Sequence, residues 1–240
     1  MTKVAVILAA GLGSRLKEKT KVQPKGFLEL ENISLIQRSV DNLISCGVEK
    51  IYIGTGYLSE VYENFALRYP QIVCIKSDKY ETTSSMYTLF NMKNDLKNDF
   101  LLLESDLLYE VDAINQLLCD SKEDIILASG QTNSNDEVYI QADEHNILIN
   151  MSKKKQELDS VYGELVGISK ISKNRYKMMC DRFENQENIK IDYEYIMVHT
   201  SKIIPFYIKK IENLIWCEID DADHLSRALN TILPKIKANK

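Results

Sequence analysis

Residues 7–28 read I-L-A-A-G-L-G-S-R-L-K-E-K-T-K-V-Q-P-K-G-F-L, and the succession of residue types in them decides the fold. The apolar run 4–8 reads as a buried strand. It breaks at Ala9-Ala10-Gly11, and Gly13 and Arg15 follow. A charged segment then ends in Pro24-Lys25. Small residues where a buried strand stops let backbone N–H groups come close to an anion, and Arg15 and Lys25 add two cations. The stretch therefore reads as the floor of a site for a phosphorylated ligand. Two other phosphate motifs fit worse. The dinucleotide fingerprint needs a third glycine where this chain has Leu16, and the P-loop needs Gly-Lys-Ser/Thr after a four-residue spacer, a string that does not occur.

Outward from this stretch, apolar extended runs alternate with helical patterns. Residues 51–54, 72–75 and 100–104 read as strands, and 33–46, 58–69 and 111–119 as helices between them. That rhythm predicts βαβ units around a mainly parallel sheet covered on both faces. Ligands of such sheets sit beyond the carboxyl ends of the strands, so the glycine turn and Asp106 are expected on one edge. The second half changes rhythm. Runs 125–129, 138–141, 147–151 and 165–168 are short and separated by polar turns, which predicts a small antiparallel excursion on the acceptor side. Helices at 173–184 and 194–202, a strand at 214–218 and a helix at 223–233 complete the reading.

The chain has 240 residues, with 45% apolar residues, enough for a sizeable core. Its net charge is −5, which speaks against a nucleic-acid partner. The five cysteines, at 46, 74, 119, 180 and 217, lack C-x-x-C spacing and read as reduced, mostly core thiols of a cytoplasmic protein. No apolar run reaches the roughly 20 residues of a membrane span, and Met1-Thr2-Lys3 leads straight into a strand, which reads as no signal peptide. The Lys153-Lys154-Lys155 run reads as a solvated loop. None of His145, His199 and His224 has metal or triad spacing, and all three are assigned surface or structural roles.

The string L-A-A-G-x-G-x-R-L followed by P-K resembles the signature of the nucleotidyltransferases, which include sugar-1-phosphate nucleotidyltransferases and small cytidylyltransferases. Further strings, P-K-G-F-L-E, T-G-Y-L-S-E, S-S-M-Y, F-L-L-L-E-S-D-L-L-Y-E, G-E-L-V-G-I-S-K-I-S and W-C-E-I-D-D, run nearly end to end. They are similar to the 2-aminoethylphosphonate cytidylyltransferases, which supply phosphonate-modified surface molecules. The bacterial choline-phosphate cytidylyltransferases are cousins of these. The resemblance implies a Rossmann-like, three-layer α/β nucleotidyltransferase fold with a mixed, mainly parallel central sheet. It implies one domain over 1–240, with a nucleotide-binding part at 1–120. An acceptor-binding part with the second set of metal ligands follows at 121–240.

Site expectations follow. Magnesium prefers one or two carboxylates together with phosphate oxygens and water. Asp106 follows the strand 100–103, and Glu218 and Asp220 follow that at 214–217, matching the places where the resembled family binds Mg2+. Arg15 and Lys25 are the candidate catalytic cations. Leu8, Ala9, Ala10, Gly11 and Gly13 of the first loop are candidate nucleotide contacts, as are Thr83, Ser84, Ser85 and Ser105. Thr83 or Ser84 reads equally well as a helix N-cap, and Asp221 and Asp223 read as caps of the last helix. Asp136, Glu137, Asp192, Tyr193 and Glu194 are candidates for an acceptor's primary amine, with Lys153 for its phosphonate; Asp136 reads equally as a turn residue. The expected partners are CTP and 2-aminoethylphosphonate. No nucleic acid and no membrane are expected, and a homodimer is the one self-association considered.

Overall fold

The computed structural model describes residues 2–13, 15–16, 22–134 and 137–239. In chain order the elements are β1 (Val4–Ala9), β2 (Glu29–Leu30), β3 (Ile33–Ser34), α1 (Leu35–Ser45), β4 (Lys50–Thr55), α2 (Ser59–Ala66), β5 (Ile72–Lys76) and α3 (Ser85–Phe90). There follow β6 (Phe100–Glu104), β7 (Leu107–Tyr109), α4 (Asp112–Cys119), β8 (Ile125–Ser129), β9 (Tyr139–Ala142), β10 (Leu148–Ser152) and β11 (Gly163–Ile171). The last are α5 (Lys173–Glu184), α6 (Tyr193–Ser201), β12 (Tyr207–Ile211), β13 (Trp216–Glu218), α7 (Ala222–Arg227) and α8 (Leu233–Ala238), with a π-helical turn at Ala228–Ile232 between the last two.

The central sheet runs β10-β9-β11-β6-β1-β4-β5, with β8 beside β11 and β12 beyond β8. Strands β6, β1, β4 and β5 are parallel, while β11 is antiparallel to β6, β8 and β9. This is an α/β protein of Rossmann-like architecture. The antiparallel strands of the second half continue the main sheet through the long β11.

Strand alternation builds two cores. Val4, Val6 and Leu8 of β1 point to one face, where Met86, Leu89, Met179 and Ile196 of α3, α5 and α6 cover them. Ala5, Ile7 and Ala9 point to the other, against Val40, Phe65 and Ile114 of α1, α2 and α4. A third cluster lies under the glycine loop. It joins Leu16, Leu28, Leu30 and Leu108 to Cys217, Ile219, Leu225 and Ile232. It holds the segments that carry the charged residues described below.

Several local readings need correction. Helix α1 starts at Leu35, because Ser34 caps it by accepting from the Gln37 N–H at 3.3 Å; Ile33 belongs to β3 instead. Helix α3 starts where Ser84 reads as an N-cap, while strands β7 and β12 have no counterpart in the sequence reading. Only Cys180 and Cys217 are buried, so the thiols are not mostly core. The cap of α7 is Asp221 alone, its carboxylate accepting from the His224 N–H, with Asp223 inside the first turn. Among the described residues, no helix is long and apolar enough to cross a membrane.

Candidate active site

Register places the functional segments on one edge of the sheet. Leu8 of β1 is opposite Glu104 of β6, and the Ser105 N–H donates to the Leu8 carbonyl at 3.1 Å. Just beyond, β7 pairs with β13 so that Leu107 faces Glu218, and the Ile219 N–H donates to the Asp106 carbonyl at 3.1 Å. Two short strands, more than a hundred residues apart in sequence, thereby set Asp106 beside Glu218 and Asp220. Cys217 and Ile219 alternate with these carboxylates and anchor them in the third core.

Lys25 reaches the same point from a tight turn at Lys25–Phe27. A Cβ on Gly26 would lie 2.9 Å from the Tyr62 hydroxyl and 3.2 Å from the Ser105 carbonyl, so glycine lets the turn pack directly against the Asp106 loop. The Lys25 ammonium ion-pairs with Asp106 at 2.5 Å and with Asp220, and Glu218 lies at 3.9 Å. Burial works against this charge, but Asp106, Asp220 and Glu218 outweigh it and hold the lysine pKa well above its ordinary value. The Arg15 guanidinium ion-pairs with Asp220 at 2.8 Å while remaining half exposed. Gly13, with φ +61°, makes the left-handed turn before it.

All these groups line one cavity of about 420 Å³, within the roughly 300–1,000 Å³ of small-molecule sites. Leu8, Ala9, Ala10, Gly11, Gly13 and Ser105 form its floor, and Thr83, Ser84 and Ser85 another part of the wall. Thr83 donates to the Lys79 carbonyl at 2.7 Å. Ser84 occupies the N-cap position of α3 without a side-chain cap bond. The Ser85 hydroxyl donates to Asp192 at 3.1 Å and accepts from the Tyr193 N–H at 3.0 Å, which joins the starts of α3 and α6.

The acceptor candidates Glu137, Lys153, Asp192 and Glu194 also line the cavity; Asp136 lies outside the described residues. Tyr193 is buried, and its hydroxyl donates to Glu104 at 2.7 Å. Burial, together with Glu104 and Asp192, pushes the Glu194 carboxyl up to about 8. Burial and Asp106 push Glu104 up to about 7, against the lowering effect of the Tyr193 hydroxyl. Glu218 is raised well above the ordinary carboxylate value by burial and then by Asp106, Glu104 and Asp220. Glu137 accepts from the Ser134 N–H at 2.6 Å and from the Tyr139 hydroxyl at 3.0 Å, so both its oxygens hold the wall.

The donor chemistry fits a hard divalent cation. Carboxylate oxygens of Glu104, Asp106 and Glu218 lie within 4.8 Å of one another, and Asp106 Oδ1 is buried without a hydrogen-bond partner among the described residues. Glu104 was passed over as a ligand. It ends β6, as the strand expected at 100–104 has it, and pairing with β1 sets it opposite Leu8 at the cavity. Trp216 packs in the core, yet it also forms part of the wall, as do Glu164 and Arg227. His145 and His199 are exposed, but His224 is 8% exposed and lines the cavity, so a surface role is excluded for it.

A glycine turn at a strand end, two cations and a set of carboxylates around one cavity are what transfer of a nucleotidyl group requires, and fold and site together define a nucleotidyltransferase. Residues 5–166 match the MobA-like NTP transferase domain, and the chain belongs to that family. It is 27% identical to the CTP:phosphoglutamine cytidylyltransferase of Campylobacter jejuni, over 90% of this chain and 95% of that one. It is 31% identical to the 2-aminoethylphosphonate cytidylyltransferase of Lancefieldella rimae, over only 36% of this chain and 35% of that enzyme's length. The solved CTP:phosphocholine cytidylyltransferase of Streptococcus pneumoniae superposes with a TM-score of 0.79 at 20% identity, covering 95% of this chain and 98% of that one.

Proposed function

We propose that the protein is a cytidylyltransferase that moves CMP from CTP to a small phosphonate or phosphate acceptor bearing an ammonium group, with 2-aminoethylphosphonate as the first candidate. The observation that carries this reading is the carboxylate-rich wall of Glu104, Asp192 and Glu194 in the same cavity as Lys25, Arg15, Asp106 and Asp220. Glu194 Oε2 is buried with no hydrogen-bond partner among the described residues, and a bound ammonium would favour the ionised carboxylate and supply the N–H donors it lacks. A primary ammonium supplies such donors, whereas a quaternary one does not.

The reaction is an in-line displacement. An anionic acceptor oxygen bonds to the α-phosphorus, the bond from that phosphorus to the bridging oxygen breaks, and pyrophosphate leaves. Negative charge spreads over the α-phosphate oxygens in the transition state, where prearranged cations stabilise it most. Lys25 and Arg15 provide that clamp, and Asp106 and Asp220 hold the Lys25 ammonium in place through their ion pairs. The small residues 8–11 and 13, with the hydroxyls of Thr83, Ser84 and Ser85, suit a pyrimidine better than a wider base. Mg2+ held by Asp106, Glu218 and Asp220, with Glu104 adjacent, would neutralise triphosphate and acceptor charge. The nucleophile is already an anion, so no general base is needed, in keeping with histidines that lack catalytic partners.

A choline-phosphate cytidylyltransferase is the second reading, favoured by aromatic wall residues Tyr80 and Trp216, which suit a quaternary ammonium. A sugar-1-phosphate nucleotidyltransferase is third, since a hexose-1-phosphate carries no ammonium group to meet Glu104, Asp192 and Glu194. The test is pyrophosphate release with CTP or UTP against 2-aminoethylphosphonate, phosphocholine, phosphoethanolamine, phosphoglutamine and glucose-1-phosphate. Turnover with CTP and 2-aminoethylphosphonate above the other acceptors is expected. Preference for phosphocholine would install the second reading. Turnover confined to glucose-1-phosphate, or none with any ammonium-bearing acceptor, would sink the proposal.

A further inference from the structure

His224 lines the cavity but has no part in the chemistry above, and its ring is held between two backbone groups. Nδ1 accepts a hydrogen bond from the Asp220 N–H at 3.3 Å, and Nε2 lies 3.0 Å from the Ser134 carbonyl oxygen. A backbone N–H only donates and a carbonyl only accepts, so both bonds exist together only in the neutral ring with its proton on Nε2. The residue cannot easily move. Its own N–H donates to the Asp221 carboxylate at 2.8 Å as the cap of α7, and the side chain is almost fully enclosed.

The two groups bridged by this ring belong to different parts of the site. Asp220 holds Lys25 and Arg15 through its carboxylate. Ser134 belongs to the wall on the acceptor side, where the Thr132 N–H donates to Glu164 at 2.8 Å and the Ser134 N–H donates to Glu137. His224 thus ties that wall to the segment carrying Asp220. We propose that His224 is a positioning residue that sets the Asp220 main chain relative to the acceptor wall, so that the Lys25–Asp220 pair and the bound acceptor share one frame. The inference rests on Asp220 belonging to the reacting cluster, and not on which acceptor is used.

Two conservative variants separate the two bonds. His224→Asn keeps an acceptor near the Nδ1 position and loses the reach to Ser134. His224→Gln keeps a donor near the Nε2 position and loses the bond from Asp220. The first readout is amide hydrogen exchange of the full chain without substrates. The Asp220 amide is expected to stay protected in His224→Asn and to exchange at least about tenfold faster in His224→Gln and His224→Ala. The second readout is steady-state kinetics with the best acceptor of the panel above. His224→Gln should lower kcat by roughly tenfold or more with acceptor KM within about threefold of wild type, and His224→Asn should raise acceptor KM while sparing kcat. Asp220 exchange unchanged in every variant, or Asn and Gln variants that behave alike in both readouts, would overturn the proposal. An inactive wild type would count against the proposed function, while the exchange data would still judge the tie.

Discussion

Lys25 is the residue on which three carboxylates of the cavity converge. Its ammonium sits between Asp106 and Asp220, and under the proposed function that charge is needed most where charge develops on the α-phosphate. Lys25→Ala should therefore lower kcat by about 10²-fold or more while weakening CTP binding far less; equal losses in a kinetic and a direct binding measurement would contradict the role. Exposed His145 and His199, in contrast, should tolerate substitution with activity within a few-fold of wild type. Glu194 makes a pH prediction. Its carboxyl keeps a proton up to about 8 in the folded chain against an ordinary value of 4.5, driven by burial and by Glu104 and Asp192, with Lys153 opposing. The folded state thus binds the extra proton across that window, so stability is highest at its acid end and falls as the pH rises through about 8. Thermal melts of the ligand-free protein should show Tm falling from pH 5.5 to 8.5, and falling less in Glu194→Gln; equal slopes would remove Glu194 as the cause.

At the scale of the element, two short features aim the carboxylates. In β13 and the residues after it, alternation sends Cys217 and Ile219 into the third core and Glu218 and Asp220 toward the cavity. Ile219 is fully buried, and its truncation to alanine should cost about 2–5 kcal/mol; denaturant unfolding measures the loss, and kcat should fall as well because Asp220 is no longer fixed. Gly167 in β11 has φ +78°, and a Cβ there would lie 2.8 Å from Glu104 Oε2. Gly167→Ala is thus expected to destabilise the fold and to displace Glu104 from Tyr193. The parallel strands were legible as continuous apolar runs and α5 by its helical spacing of Tyr176, Met179, Cys180 and Phe183. Strand β7 was not, because its three residues directly follow β6 and one chain of letters does not show the turn between them. Strand β12 has no counterpart in the sequence reading because Lys209 and Lys210 break its apolar run; they pair with Asp120 and Glu212 along the edge of the sheet.

At the scale of the whole molecule, two halves with different rhythms share a continuous sheet through β11, and the cavity draws on both. Chelation of divalent metal should stop pyrophosphate release, with recovery on adding Mg2+, while circular dichroism stays unchanged because the cores contain no metal ligand; a loss of fold on chelation would assign the carboxylates a structural task. The strand-to-glycine turn, its two cations and the parallel half of the sheet are legible in the sequence, since they follow from residue types a few positions apart. That Glu104 and His224 belong to the site, and that Glu137 holds the wall, emerges when the chain folds. The reason is that hydrogen-bond register between distant strands, and not local periodicity, determines which side chains meet, and register becomes definite only when the strands pair.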